Sequence, residues 1–266
     1  MVMPKNFILV RHGQSEANVI QKQVKSNPTF ELPNDFYQRH DSLTRLSELG
    51  VEQAIAAGNW LRANNLDIFD RAYVSPHVRA CETAAHLDLN INWLKDDRWR
   101  ERDWGEYGMV NEAVREQIYP HSNHLKSING WYWCPPGGES LATGVRERFS
   151  SILGTLHREA AGEDVIAVTH GETIRVAQFV IERQTPSEWL EEDENEEYKV
   201  QNTQIIHYTR VNPVTGELDS KIRWRRSICP WDETKSWNNG EWVQFDRFSY
   251  SNKDLLESVN KVHRLL

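Results

Sequence analysis

Short apolar runs alternate along this chain with longer segments in which apolar residues recur at helical spacing. Residues 7–10 (FILV) and Asp164–Thr169 (DVIAVT) are apolar almost throughout, which is typical of strands buried on both faces of a parallel sheet. Arg71–Val74 and a weaker run at 90–94 predict two further strands. The intervening segments predict helices at about 47–64, 76–87, 139–160 and 172–183. This alternation predicts an α/β fold with a mainly parallel central sheet.

The last part of the chain has a different pattern, typical of antiparallel strands. Residues 203–209 and 221–226 each alternate between polar and apolar positions, and the sequence NPVTG at 212–216 is a turn signal. We therefore expect a hairpin, followed by a terminal helix at about 252–265. Four tryptophans of this region are expected to form an apolar patch against the main domain: Trp224, Trp231, Trp237 and Trp242.

Two polar segments interrupt the alternation of strands and helices. Residues 19–40 contain Pro28 and Pro33 and predict a long loop, and residues 120–138 form a second insertion. Loops of this length are commonly either functional or disordered. Residues 110–119, between the two polar segments, are a further candidate for a helix. The chain is expected to form a single domain over residues 1–266, with a C-terminal extension from 211 to 266.

The charge and cysteine content narrow the classes of function. The formal net charge is −8, and no basic stretch of the kind that nucleic-acid-binding proteins carry is present. Seven acidic residues fall within residues 188–197, which argues further against polyanionic partners. The three cysteines are odd in number and lack CxxC spacing, so they indicate neither a disulfide framework nor a zinc site. Without a long apolar segment, we expect a cytoplasmic protein that does not bind membranes.

Cationic side chains follow the predicted strands directly. Arg11 and His12 come after the first strand, His170 comes after Asp164–Thr169, and Arg79 lies one turn into the helix that follows Arg71–Val74. The carboxyl ends of parallel strands lie at one edge of a sheet, so these side chains should converge into a compact cationic pocket. The helix N-termini that follow add backbone N–H donors. This arrangement indicates a phosphate site without a P-loop or a metal cluster.

Five segments, in this order, resemble motifs of the histidine phosphatase (phosphoglycerate mutase-like) superfamily: residues 11–18, 46–54, 75–84, 101–105 and 168–171. They resemble, respectively, the RHG signature, the L-[ST]-x-x-G-x-x-Q-A helix, the S-x-x-x-R-A-x-x-T-A segment, the acid-bearing segment and the second histidine motif. The resemblance covers about residues 5–209. It implies a three-layer α/β/α sandwich and a phosphatase that needs neither cofactor nor metal.

The resemblance also implies five catalytic residues, His12, Glu101, His170, Arg11 and Arg79. His12 would be the nucleophile that forms a phosphohistidine, neutral at the attacking nitrogen, with its other nitrogen held by a backbone carbonyl. His170 would stabilise charge during the transfer. Glu101 would protonate the leaving alkoxide and then deprotonate water. Asp97, Asp103 and Glu106 are alternatives to Glu101 in the same charged segment.

Five residues are implied in binding the phosphorylated substrate. Arg11 and Arg79 would bind the phosphoryl oxygens, because a planar guanidinium matches them bidentately. Asn18 and the helix N-terminus at Gly171 would add donors, and His170 would also touch the substrate. The other eight histidines, among them His77, His121 and His124, have no such context.

The phosphatase branch and the mutase branch share this site and differ in the basic residues around it. Residues 103–138 contain only Arg115 and Lys126 as basic side chains, and no adjacent arginines, which favours transfer of the phosphoryl group to water. The alternatives are a mutase and a non-catalytic phospholigand-binding module. The expected partner is a small phosphorylated substrate. Sugar phosphates, nucleotides, phosphoamino acids and phosphoproteins all remain candidates.

Overall fold

A seven-stranded mixed sheet organises the computed structural model, which describes residues 2–27, 30–31, 33, 35–109, 115, 117–245 and 249–265. The strands are β1 (Asn6–Arg11), β2 (Arg71–Val74), β3 (Trp93–Lys95), β4 (Asp164–Thr169), β5 (Ile205–Thr209), β6 (Trp224–Ile228) and β7 (Val243–Gln244). Their spatial order is β3-β2-β4-β1-β5-β6-β7. The first four are mutually parallel, and β5, β6 and β7 extend the sheet in antiparallel fashion.

Helices cover both faces of the sheet. They are α1 (Glu16–Ser26), α2 (Glu48–Ala63), α3 (Val78–His86), α4 (Pro120–Ile128), α5 (Arg146–Glu159), α6 (Gly171–Glu182), α7 (Pro186–Glu194) and α8 (Asn252–Asn260). One core cluster joins α5 and α6 to one face of β1 and β4, and a second joins α2 and α3 to the other face. The predicted α/β/α sandwich with a mostly parallel core is therefore confirmed.

The apolar run of β1 shows why the sheet has helices on both sides. Phe7 and Leu9 belong to the core under α5 and α6, whereas Ile8 and Val10 belong to the core under α2 and α3. Successive side chains of a strand point to opposite faces, so a strand covered on both faces must be apolar at every position.

Strand register brings distant segments to one edge of the sheet. Arg11 of β1 lies beside Thr169 of β4, and Val74 of β2 lies beside Val168. The antiparallel strand β5 begins at the same edge, where Ile205 lies beside Val10. Residues just before β5 therefore lie near the carboxyl ends of β1 and β4. The position of β5 in the strand order places them there.

Both insertions contain helices that the sequence analysis did not expect. The predicted loop at 19–40 is wrong over residues 19–26, which belong to α1. A capping box between Ser15 and Asn18 starts this helix, and that local hydrogen bonding outweighs the polar composition. The second insertion begins with α4, which has Pro120 in its first turn. The helix considered at 110–119 falls mostly outside the described residues.

The C-terminal extension pairs with the main sheet. The predicted hairpin is confirmed, because β6 pairs antiparallel with β5, and the short β7 adds a further strand. The predicted helix at 252–265 is shorter, ending at Asn260, and its residues are exposed. Among the helices of the described ranges, none combines the length and apolar character needed to cross a membrane.

Two of the four tail tryptophans contact the main domain as predicted, since the ring centroids of Trp242 and His207 are 4.9 Å apart and those of Trp237 and Tyr198 are 5.8 Å apart, but the patch is not purely apolar. All four are only partly buried, and three lie against cations: Trp237 over Arg225 (4.2 Å from ring centroid to guanidinium carbon), Trp242 over Arg226 (4.7 Å) and Trp231 over Lys235 (4.3 Å). The physical reason is that β6 and the turn after it present basic side chains, and an indole face attracts a cation.

Candidate active site

His12 lies at the carboxyl end of β1 and is buried. Its Nδ1 atom is 2.7 Å from the carbonyl oxygen of Gly13. A carbonyl only accepts, so this contact requires the proton on Nδ1 and leaves the lone pair on Nε2. Arg79 Nε donates to that Nε2 at 3.2 Å. Burial, together with the charges of Arg79 and Arg11, lowers the pKa of His12 well below its usual value, so the ring is neutral.

Arg79 extends from the first turn of α3, and its side chain is only 4% exposed. Its Nη1 atom donates to the backbone oxygen of Asp41 at 2.7 Å and to Thr44 Oγ1 at 3.0 Å. Its Nη2 atom donates to Asp41 Oδ2 at 2.8 Å. The anion that such a buried guanidinium needs is therefore supplied by the chain itself. Asp41 belongs to a short 3₁₀ turn, Asp41–Leu43, directly after the first insertion.

Arg11 lies beside the N-terminus of α6. Its Nη1 atom donates to the carbonyl oxygen of Val200 at 2.5 Å, and its buried Nε has no hydrogen-bond partner among the described residues. A Cβ atom on Gly171 would lie 3.3 Å from this Nε, so glycine gives the guanidinium close access to the helix N-terminus. An anion placed there would meet the unpartnered Nε–H and the positive end of the helix dipole.

His170 ends β4, caps α6 and is fully buried. Its ring centroid is 5.1 Å from that of His12, and its Nε2 is 2.7 Å from Ser75 Oγ. Burial and the charge of Arg79 lower the pKa of His170 well below its usual value. Ser75 does not cap α3, because His77 occupies the N-cap position and Ser75 instead contacts His170.

His77 is a neighbour of the site that the sequence analysis did not single out. Its ring centroid lies 4.8 Å from that of His170. Burial, with the charge of Arg79, lowers the pKa of His77 to about 4. Arg79 therefore faces three imidazoles that are all neutral near pH 7.

Glu101 and Glu172 form a carboxyl pair next to the cations. Glu101 Oε1 accepts a hydrogen bond from the backbone N–H of Arg102 at 3.0 Å. Glu172, in the first turn of α6, has Oε1 3.5 Å from Arg102 Nη1, while its buried Oε2 has no described partner. Burial raises the pKa of Glu101, and burial together with Glu101 raises the pKa of Glu172 to about 7. The pair therefore retains protons at pH values where isolated carboxyls have lost them.

The alternatives to Glu101 are engaged elsewhere. Asp97 pairs with Arg100 at 2.8 Å and is exposed. Asp103 accepts from the backbone N–H of Gly105 at 2.7 Å, and Glu106 accepts from the hydroxyl of Tyr119. None of the three is buried, so Glu101 is the carboxyl of this segment that meets the arginines.

Asn18 and Asn202 tie the helix α1 to His12. Asn202 Nδ2 donates to the backbone oxygen of His12 at 3.1 Å and lies 3.3 Å from Asn18 Oδ1. The Asn18 oxygen also accepts from Ser15 N at 3.1 Å, so only its amide nitrogen is left to donate to an anion. Thr203, next to Asn202, is buried with φ of 52°, a strained conformation for a β-branched residue.

The structure brings together the residues predicted from the strand ends and adds others. The predicted members are Arg11, His12, Asn18, Arg79, Glu101, His170 and Gly171; the added ones are Asp41, Thr44, Ser75, His77, Glu172 and Asn202. Of the added residues, Ser75 begins the S-x-x-x-R-A-x-x-T-A segment and Glu172 directly follows the second histidine motif, so these two had a signal in the sequence. Within the described ranges, no group of histidine, cysteine and acidic side chains is arranged to hold a metal ion.

Known proteins share this chain's motifs and fold. The family described as the histidine phosphatase superfamily (branch 1) matches residues 7–209. A 2,3-bisphosphoglycerate-dependent phosphoglycerate mutase of Brucella anthropi is 31% identical over 201 residues, which cover 73% of this chain and 89% of that protein.

Two solved structures share the fold at lower identity. A mycobacterial glucosyl-3-phosphoglycerate phosphatase complexed with VO3 has a TM-score of 0.58 and 21% identity, covering 82% of this chain and 97% of that one. A phosphoserine phosphatase of Entamoeba histolytica has a TM-score of 0.56 and 19% identity, covering 77% and 90% of the two chains. The family match spans all five motifs and more than half of the chain, so the protein belongs to the histidine phosphatase superfamily, branch 1.

Proposed function

We propose that this protein is a metal-independent phosphomonoester hydrolase that works through a phosphohistidine on His12. The observation that carries the proposal is the state of the His12 ring. The ring is neutral, its Nδ1 proton is bound by the Gly13 carbonyl, and its Nε2 lone pair faces the Arg79 guanidinium. A neutral nitrogen among phosphate-binding cations is what nucleophilic catalysis on a phosphoryl group requires.

In the first half-reaction, the phosphoryl group lies between Arg11 and Arg79. Arg79 Nε–H exchanges its bond to His12 Nε2 for a phosphoryl oxygen, which frees the lone pair. Nε2 then attacks phosphorus as the bond to the ester oxygen breaks, and Glu101 gives its proton to that oxygen. The products are an alcohol and a phosphohistidine. The raised pKa of Glu101 supports this role, because the carboxyl must start protonated.

In the second half-reaction, water attacks the phosphohistidine. Glu101, now a carboxylate, takes a proton from the water as the oxygen bonds to phosphorus. The bond from phosphorus to His12 Nε2 breaks, and the nitrogen recovers its lone pair. Glu101 is again protonated and inorganic phosphate leaves, so protons and charge balance over the cycle. Arg11, Arg79 and a hydrogen bond from His170 would hold the charge of the transferring group in both steps.

A second candidate is the mutase reaction, which the names of the curated relatives favour. A mutase must hold a second acidic group and retain the phosphorylated intermediate. The basic side chains of 103–138 are engaged with aromatic rings: Lys126 lies 5.4 Å and 5.5 Å from the ring centroids of Trp104 and Trp133, and Arg115 lies 5.3 Å from that of Tyr107. We therefore favour the hydrolase.

One experiment separates the two activities. The protein is incubated with 3-phosphoglycerate, with and without 2,3-bisphosphoglycerate, and both 2-phosphoglycerate and inorganic phosphate are measured. The same phosphate assay is applied to sugar phosphates, nucleotides and phosphoamino acids, in buffer containing excess chelator. A hydrolase releases phosphate from some of these compounds despite the chelator. Formation of 2-phosphoglycerate that outpaces every phosphate release would establish the mutase instead.

A further inference from the structure

The guanidinium of Arg79 is almost fully occupied in the substrate-free protein. Nε donates to His12, Nη1 donates to both Asp41 O and Thr44, and Nη2 donates to Asp41 Oδ2. A guanidinium has five N–H donors, so one remains. A phosphoryl group that binds a guanidinium bidentately needs two parallel donors. In the proposed mechanism His12 gives up the Nε–H to one phosphoryl oxygen, and a second oxygen then approaches Nη2, where the Asp41 carboxylate already lies.

We propose that the Asp41 carboxylate is a placeholder for phosphate, occupying Arg79 in the free protein and giving way when the phosphoryl group binds. This inference rests on the proposed function, because it assigns Arg79 to phosphate. It makes Asp41 a positioning residue: it keeps the guanidinium neutralised and oriented between turnovers, and it competes with both substrate and product.

Burial decides which partner moves. The Arg79 side chain is 4% exposed, whereas the Asp41 side chain is 50% exposed. Rotation of the Asp41 carboxylate into water restores its hydration, whereas movement of Arg79 would break the Nη1 bonds to Thr44 and to the backbone oxygen of Asp41. The backbone oxygen of Asp41 remains bonded to Nη1 when the side chain leaves, so the guanidinium keeps its orientation.

Charge gives the exchange its direction. A phosphate dianion beside Asp41 would meet a like charge, and the partly buried Glu101 already feels repulsion from Asp41. The two anions cannot share one guanidinium without cost, so the dianion displaces the single carboxylate. The apparent Kd for any phosphoryl ligand is then the intrinsic Kd divided by the fraction of molecules in which Asp41 has released Arg79. The same competition speeds the release of inorganic phosphate.

The test measures binding of inorganic phosphate by isothermal titration calorimetry, which needs no turnover. Asp41→Asn keeps the size of the side chain and the backbone contact but removes the charge. We expect it to bind phosphate about three- to tenfold more tightly than the wild type, because an ion pair with one half-exposed partner contributes little free energy and phosphate no longer has to break it. Asp41→Ala, which also removes the hydrogen-bonding oxygen, should gain at least as much. The KM for substrate should fall in both variants.

Two further variants make the result specific. Asp97→Asn removes an equivalent exposed charge that pairs with Arg100 rather than Arg79, and it should change phosphate affinity less than twofold. Arg79→Gln should lose phosphate binding. Unchanged or weaker binding by both Asp41 variants would overturn the placeholder role, as would an equal gain in Asp97→Asn. If the wild type, the Asp41 variants and Arg79→Gln all fail to bind phosphate, the proposed phosphate site itself fails, and the placeholder with it.

Discussion

Replacing Glu172 with glutamine should stabilise the protein at alkaline pH and leave its stability unchanged in acid. Burial and the neighbouring Glu101 raise the pKa of Glu172 from 4.5 to about 7 in the folded protein. Below about pH 4.5 the carboxyl is neutral in both the folded and the unfolded state. Above about pH 7 it is ionised in both states, and the folded state then bears the full free-energy cost of burying an ionised carboxyl. The wild type therefore loses stability as the pH rises through this window.

The structure sets the size of the effect. Each pKa unit corresponds to about 1.4 kcal/mol, so the rise from 4.5 to about 7 is worth at most ~3.5 kcal/mol of unfolding free energy. The side chain is 30% exposed, and screening by water reduces this to about 2 kcal/mol. Arg102 is not left unpaired in the variant, because it keeps its bonds to the backbone oxygens of Glu139 (2.8 Å) and Trp133 (3.0 Å).

Urea unfolding of wild type and Glu172→Gln at about pH 4.5, 6 and 8 measures this difference. Glu147→Gln is the matched control, since Glu147 also lies in the first turn of a helix but is exposed. For this control, the difference in unfolding free energy from the wild type should not increase with pH. The pH–activity profile of Glu172→Gln supplies a second measurement. Without the negative charge of Glu172, the pKa of Glu101 should fall, so the loss of activity on the alkaline side of the profile should begin at lower pH. A stability difference that stays constant from pH 4.5 to 8 would refute the reasoning.

Three further predictions follow from the site and the extension. His12→Ala should abolish turnover and the acid-labile phosphate label while the fold survives by circular dichroism; substantial turnover in the folded variant would overturn the mechanism. Glu101→Gln should slow hydrolysis of alkyl phosphates far more than that of p-nitrophenyl phosphate, provided burst kinetics show phosphorylation to be limiting; an equal loss would remove it as the acid. Arg225→Ala leaves the buried Glu182 without its partner at 2.7 Å and should cost about 3–5 kcal/mol by urea unfolding, against less than ~1 kcal/mol for the surface pair of Arg223; equal losses would contradict this.

The sequence predicted the frame of the site because that frame follows from strand ends. FILV is apolar at every position and DVIAVT almost throughout, as strands covered on both faces must be, and each is followed by side chains of the candidate site. Once the strands are parallel neighbours, Arg11, His12 and His170 must lie at one edge. The resemblance of the surrounding motifs then singled out Arg79 and Glu101. These conclusions depend on short-range patterns and on one rule of sheet topology.

The errors arose where local hydrogen bonds or long-range packing outweighed composition. The capping box at Ser15 starts a helix in a segment whose polar character indicated a loop. Three tail tryptophans lie over Arg225 and Arg226 of β6 and over Lys235 after it, and the number of apolar residues in the extension did not predict these contacts. Asp41 meets Arg79 across 38 residues and Asn202 meets His12 across 190, and no pattern in the chain relates either pair.

The sequence by itself determined which strands end in cationic side chains, and therefore where a phosphate site would lie. Only the tertiary structure decided which groups meet there: the Gly13 carbonyl at His12 Nδ1, the Asp41 carboxylate on Arg79, and the carboxyl of Glu172 close enough to Glu101 for their charges to interact. The reason is physical. Strand and helix patterns are set by neighbours in the chain, whereas hydrogen-bond partners and pKa values are set by burial and by charges that folding brings together.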